Sequence, residues 1–233
     1  IREQLSIMTQ QLHSVFMALE TGWVMFFEAQ RIPSTDYPTD SCFPDPITKI
    51  MDDERKAYFS SGDSHFESDY YATLYWMPPN DHEGRLRAFV VEGKKQKGLT
   101  KEDYLTTFSN VVEEVYKAFF ACQIPCEILS VDEMVTYLYS TISMNRRTLR
   151  LPKHPLLLDQ FLCDSALSGG LEPRLGRKHM RVVTIIGYMD NTIFGIFDGL
   201  NLQNFSYRWI SRYYCLSKLD ALDAVSKKTK EWK

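Results

Sequence analysis

Two carboxylates, Glu28 and Glu67, are the first residues in this sequence that could do chemistry. Glu28 opens the run Glu28-Ala29-Gln30-Arg31 and Glu67 lies in His65-Phe66-Glu67-Ser68, both inside stretches that read as strands. If those strands pair, Glu28, Gln30 and Arg31 form a polar site with Glu67. Two carboxylates in one cleft can divide the roles of general acid and general base. No nucleophile, histidine or metal cluster accompanies them, so a structural ion pair at the sheet end is favoured. A small enzyme using the Glu28/Glu67 region is kept as the alternative.

Other reactive residue types are scattered. Cys122 and Cys126 are separated by three residues, Pro125 among them, but no second Cys/His pair completes a zinc site. The five cysteines are odd in number and widely spaced, which reads as reduced thiols rather than a disulfide framework. His13, His65, His82, His154 and His179 show no ligand spacing. Gly170 to His179 is a phosphate-loop look-alike. It has five residues between Gly170 and Gly176 where four are needed, and it lacks the Ser or Thr hydroxyl for Mg2+. The sequence therefore assigns no catalytic, cofactor or metal residue.

Tyr207, Arg208 and Trp209 are residue types enriched at protein interfaces, and they form the one candidate partner surface. Arg146, Arg147 and Arg150 could meet anionic headgroups, but a solvated connection is favoured. The aromatics Tyr70, Tyr71, Tyr75 and Trp76 could stack bases, but packing is favoured.

Net charge is -3 over 233 residues with a pI near 6.0, a poor match to a nucleic-acid binder. No direct nucleic-acid binding is expected. The longest apolar runs, Trp23 to Phe27 and Val182 to Ile186, fall far short of the roughly 20 residues that span a bilayer. The chain starts at Ile1, already in a helical pattern, and reads as a piece of something longer.

These residues are positioned by a repeating helix and strand order. Leu5, Met8, Leu12, Val15 and Leu19 recur at steps of three and four, predicting a helix over 3–20, with Gly22 as its stop. A buried strand covers 23–31. Asp45-Pro46 starts a helix whose inward stripe is Ile47, Ile50, Met51, Ala57 and Tyr58, ended by Ser61-Gly62-Asp63. An aromatic strand covers 66–77 and stops at Pro78-Pro79. Residues 79–99 read as an exposed hairpin, with an edge strand at 86–91. Thr100 with Asp103, and Ser130 with Glu133, are capping boxes opening two helices. A short strand is predicted at 126–129 and another at 180–188. Residues 192–203 are ambiguous, and 205–216 alternate as a strand before a last helix that begins at Ser217.

The fold class is α+β: mixed sheets with helices packed on them, in ferredoxin-like αβ units. Three regions are expected: an αβ subdomain at 1–143, a connection at 144–179 holding Gly169-Gly170-Leu171-Glu172-Pro173, and a βαβ-α subdomain at 180–233. A right-handed crossover would make the two strands of 180–216 parallel.

Several ordered stretches together resemble the N-terminal domain of the TrbE (CagE/TrbE/VirB) family. They are Glu28-Ala29-Gln30-Arg31, Tyr37-Pro38, Phe43-Pro44-Asp45-Pro46 with Asp53-Glu54-Arg55, His65-Phe66-Glu67-Ser68, and Trp76-Met77-Pro78-Pro79. Later come Leu167-Ser168-Gly169-Gly170-Leu171-Glu172-Pro173 with Leu175-Gly176, and Tyr207-Arg208-Trp209. The resemblance implies the docking portion of a type IV secretion and conjugal transfer ATPase, not catalytic by itself. It implies a RecA-like motor beyond Lys233 that takes ATP and Mg2+ and assembles as a homo-oligomer. It also implies membrane subunits of the secretion channel as partners, and a place in the bacterial cytoplasm, peripheral at the inner membrane.

Overall fold

The computed structural model describes residues 2–38, 41–60, 65–78, 100–154, 157–185 and 195–231. The expected edge strand at 86–91 and the helix stop at Ser61-Gly62-Asp63 lie outside them. By packing, the chain divides into Ile1–Ile124 with Phe197–Lys233, and Pro125–Ile196.

The first unit is built on a three-stranded antiparallel sheet. Its centre is β1 (Trp23–Pro33), flanked by β2 (Phe66–Trp76) and β6 (Tyr207–Tyr214). Successive side chains of a strand point to opposite faces. Trp23, Met25, Phe27, Ala29 and Arg31 therefore share one face, and Val24, Phe26, Glu28, Gln30 and Ile32 the other. The first face carries the core. Leu19, Trp23 and Met25 are buried there, packed against Phe16, Phe27, Leu74, Trp76, Phe108, Val111 and Cys215. Two helices supply the cover: α1 (Arg2–Phe16) and α3 (Lys101–Ala121). Trp23 stacks between Trp76 and Phe108, with ring centroids 5.2 and 5.7 Å away. Phe27 meets Phe16 and Phe119 at 5.9 and 6.5 Å. Each aromatic pair adds roughly 0.5–1.5 kcal/mol beyond area burial.

The α1–β1 connection is a junction for three elements. α1 ends at Phe16, earlier than the expected 20, and Ala18 and Leu19 close a tighter turn. Gly22 has φ +105°, and its carbonyl accepts from the Met77 amide at 2.9 Å. A Cβ on Gly22 would lie 2.7 Å from the Met77 carbonyl oxygen, so only glycine fits. Thr21 Oγ1 donates to Asp220 and accepts from the Ser217 amide at 2.8 Å, tying this turn to the start of α6 (Lys218–Glu231).

Helix α2 (Pro46–Ser60) departs from its expected packing. Asp45 caps it, accepting from the Thr48 amide at 3.1 Å, but no residue of α2 is buried. Ile47, Ile50, Met51 and Tyr58, from the expected inward stripe, are each at least 60% exposed. Phe59 anchors this region, stacked on His65 at 3.8 Å and packed on Tyr37.

The second unit centres on α4 (Val131–Ile142), with α5 (Leu158–Leu162) against it. Val135, Tyr139 and Leu162 are buried with Leu138, Leu149 and Phe161 around them. The capping boxes at Thr100/Asp103 and Ser130/Glu133 form as their spacing dictates. Both carboxyls are held below their usual range by the hydrogen bonds they accept from Thr100 and Ser130. Residues 145–151 are pinned along α4: the Leu149 amide donates to Thr136 Oγ1 at 2.9 Å and the Leu151 amide to Asp132 at 2.8 Å. A small antiparallel meander follows, β3 (Leu167–Ser168), β4 (Arg174–Leu175) and β5 (Lys178–His179).

The α+β class holds, with six α-helices and two small sheets among the described residues. The pairings among the described residues are antiparallel, and none joins 180–185 to β6 as the expected parallel 180–216 unit requires. Residues 180–185 join no ladder among the described residues, and the rest of the expected 180–188 strand lies outside them. β6 finds its neighbour in β1, about 180 residues earlier in the chain. Residues 126–129, expected as a strand, likewise join no ladder among the described residues. In the ambiguous stretch a 3-10 turn forms at Asp198–Leu202, consistent with the helix-weakening Gly195 and Gly199.

Candidate functional site

The polar centre of the sheet lies on the face of β1 opposite the aromatic core. Glu28 and Gln30 are each 5% exposed, unusual for such side chains unless paired. The register places Gln30 opposite Arg208 and Glu28 opposite Ile210. Arg208 Nε donates to Glu28 Oε1, and Gln30 Nε2 donates to the same oxygen at 2.7 Å. A buried carboxylate held by a guanidinium and an amide satisfies the demand that buried charges be paired and hydrogen-bonded.

This geometry corrects the expected Glu28/Glu67 site. β1 and β2 do pair, but Glu67 sits opposite Ile32, four residues from Glu28. At about 3.4 Å per residue the two carboxylates are set roughly 13 Å apart along the strand. Glu67 is exposed, whereas Glu28 is spent on Arg208. Arg31 points to the other face, where its guanidinium lies 4.5 Å over the Phe66 ring and donates to the Gln203 carbonyl at 3.4 Å. The arrangement can hold a strand pairing in register; it does not converge two carboxylates on a substrate. The partner that local sequence does not reveal, Arg208, is visible there only as one of two arginines alternating with aromatics.

The three candidate interface residues split across the sheet. Tyr207 and Trp209 lie on the aromatic-core face and Arg208 on the polar face. All three are half-buried. The Tyr207 hydroxyl donates to Asn201 at 2.8 Å, Trp209 Nε1 donates to Ser211 Oγ at 2.9 Å, and the Trp209 ring packs on Phe197 at 4.7 Å. The same strand presents exposed Ile210, Tyr213 and Tyr214.

The phosphate-loop look-alike folds as a β-hairpin. Gly176, φ +60°, takes the first central position of a two-residue turn between Leu175 and Lys178, the place where a II′ turn requires glycine. Its amide donates to the Ala166 carbonyl at 2.9 Å. The loop runs into strand rather than opening a helix whose free N–H groups could meet a phosphate.

A cleft of about 850 Å3 lies between the end of α1, the β1 entry and α3, with Leu19, Trp23, Trp76 and Val111 at its base and Glu114 and Lys117 at its rim. Cys122 is buried with its thiol toward the Met8 carbonyl and Gln11, while Cys126 is exposed; all five cysteines are free thiols. In the second unit, Asp164 accepts from the hydroxyls of Tyr139, Ser143 (3.0 Å) and Ser165 (2.9 Å) and from the Asn145 amide group at 2.8 Å. The bonds from Tyr139 and Asn145, foremost, hold its carboxyl well below the usual carboxylate range. Among the described residues, no helix is long and apolar enough to cross a membrane.

Comparison with known proteins fits this architecture. Residues 2–84 match the family model described as type IV secretion system ATPase VirB4/TrbE, N-terminal domain. The chain is 29% identical over 241 residues to conjugal transfer protein TrbE of Rhizobium radiobacter, covering 96% of this chain and 29% of that protein. Sinorhizobium fredii (strain NBRC 101917 / NGR234) has a probable conjugal transfer protein TrbE in two separate pieces. The first piece is 41% identical over 73 residues, covering 30% of this chain and 49% of that piece. The second is 30% identical over 101 residues, covering 43% of this chain and 15% of that piece. The chain thus spans under a third of the R. radiobacter relative. Residues 2–84 thus match the N-terminal domain of the VirB4/TrbE type IV secretion ATPase family, and the chain is similar to conjugal transfer protein TrbE over nearly its whole length.

Proposed function

We propose that this chain is the docking and assembly portion of a conjugal transfer ATPase, joining a motor elsewhere in the protein to the inner-membrane channel. The observation that carries this reading is the match of residues 2–84 to an N-terminal domain of that family, alongside a Gly170–His179 stretch built as a hairpin. In this reading ATP and Mg2+ belong to the motor, and the full-length protein works as a homo-oligomer at the cytoplasmic side of the inner membrane.

The apolar surface supports it. Large exposed patches on a folded protein mark contacts with other proteins. Ile47, Ile50 and Met51 line α2, and Leu219, Leu222 and Val225 recur at steps of three on α6, all exposed. The α6 stripe would face the motor and pass its movement to the sheet through the Thr21–Asp220 tie. The α2 stripe and the β6 edge, with Tyr207, Arg208 and Trp209 at its start, would meet the membrane subunits of the channel.

The test is site-specific photo-crosslinking in the full-length protein inside cells that carry the transfer system. Probes at Ile50, Tyr213 and Leu222 should give adducts to channel membrane subunits from at least one face. Adducts that do not depend on the transfer system, or adducts to DNA alone, would contradict the docking reading.

A further inference from the structure

The charge of this chain is unevenly placed. Residues 144–181 hold eight Lys and Arg against three Asp and Glu, a net of +5 within a chain of -3, so the rest carries -8. Two basic strings make up this excess: Arg146, Arg147, Arg150 and Lys153 after α4, and Arg174, Arg177, Lys178 and Arg181 along the β4–β5 hairpin. Both strings belong to the second unit, and the start of one meets the turn of the other. Asn145, beside Arg146, is held by Asp164, and Gly176, beside Arg177, is held by the carbonyl of Ala166, two residues after Asp164. These cationic residues are exposed.

Four acids of the unit have partners of their own. Asp164 is saturated by its four donors, Asp132 accepts from the Leu151 amide, Glu133 closes the Ser130 capping box, and Glu172 pairs with His179 at 3.3 Å. Apolar side chains are interleaved with the cations. Leu151 follows Arg150, Leu171 tips the loop before β4, and Val182 and Val183, 81% and 91% exposed, follow Arg181.

We propose that this basic and apolar surface binds an anionic lipid bilayer directly. The inference goes beyond the docking proposal and stands without it, since it requires no protein partner. Lysine and arginine near an anionic headgroup layer supply the attraction, and shallow apolar side chains supply the hold. DNA is the weaker match. Residues 144–181 contain one aromatic residue, Phe161, which packs in the core rather than offering a stacking platform. The hairpin has two residues per strand, short for a ribbon laid in a major groove.

The experiment is flotation of the chain with protein-free vesicles of phosphatidylcholine alone or rich in phosphatidylglycerol. Binding is expected to the anionic vesicles and to weaken with salt. Each cation is worth about fivefold in partitioning, so Arg177→Glu with Lys178→Glu, and separately Arg147→Glu with Arg150→Glu, should each lower binding at least about 25-fold. Val182→Ser with Val183→Ser should weaken the binding that survives high salt. Circular dichroism must show each variant folded; where a reversal unfolds the chain, the Gln versions and the wild-type salt dependence carry the same test. Equal binding to both vesicle types, or none, overturns the proposal. So does tighter binding to duplex or single-stranded DNA, measured by anisotropy, that the same reversals abolish; that result would make the patch a nucleic-acid surface. Because the vesicles hold no channel subunits, either outcome leaves the crosslinking test of docking independent.

Discussion

Replacing Arg208 with methionine probes the polar centre of the sheet at its source. Glu28 has a side chain only 3% exposed, and Arg208 is its charged partner across the β1–β6 ladder. Methionine keeps much of the arginine stem's volume and removes the guanidinium. The carboxylate would then keep the Gln30 amide at 2.7 Å and lose the guanidinium. Breaking one side of a buried pair costs roughly 3–5 kcal/mol. Arg208 is itself 27% exposed, so water reaches one edge of the pair and the expected loss is about 2–4 kcal/mol. With an m-value of about 2–3 kcal/mol/M, the urea midpoint should fall by roughly 1 M. Tryptophan fluorescence is the suitable readout, because Trp23, Trp76 and Trp209 all lie in this sheet. Combining Arg208→Met with Glu28→Gln removes both charges and should recover a large part of the loss, giving a coupling of about 1 kcal/mol or more in a double-mutant cycle. A single variant as stable as wild type, or a double variant no better than the single, would refute the claim that this pair fixes the strand register.

Gly22→Ala puts a Cβ 2.7 Å from a backbone carbonyl at φ +105°, which nothing flexible can relieve. A loss of about 2 kcal/mol or more, or roughly 4–8 °C in melting temperature by calorimetry, is expected; an unchanged midpoint would mean that the turn rearranges freely. Asp164 is the pH-sensitive group of the second unit. Its folded pKa lies below the unfolded value near 4, so its stabilisation is fully present above about pH 5 and fades as acid approaches the folded value. Asp164→Asn should therefore be less stable than wild type at neutral pH, with the gap in urea midpoint narrowing below about pH 4. A gap that widens in acid would show that the network does not favour the ionised form.

Local chemistry is legible in the sequence, and distant partners are not. The Thr100/Asp103 and Ser130/Glu133 boxes are decided by residues three apart, and both form. The alternation of Tyr207, Trp209 and Tyr213 sets the faces of β6 correctly. Glu28 stands out as the first polar residue of the central strand. Its partner comes from 180 positions away, and only strand order, which no local pattern encodes, selects Arg208 over Glu67. The β-branched run at 180–185 has strand propensity but joins no ladder among the described residues beyond the bond from the Met180 amide to the Pro173 carbonyl, and propensity alone does not make a ladder. The α2 stripe has helical spacing and proves exposed; periodicity marks an apolar face without saying what lies against it. The β3–β4–β5 meander escapes a sequence reading because strands of two residues leave no period to read.

On the docking reading, this chain passes movement on without binding nucleotide itself. Calorimetric titration of ATP with Mg2+ into this chain, beside a longer TrbE-type polypeptide that contains it, tests that claim most directly. Heat of binding is expected from the longer polypeptide and none from this chain. Saturable binding by this chain, abolished by substitutions at Gly176 or Lys178, would contradict it and make the β4–β5 hairpin a nucleotide site.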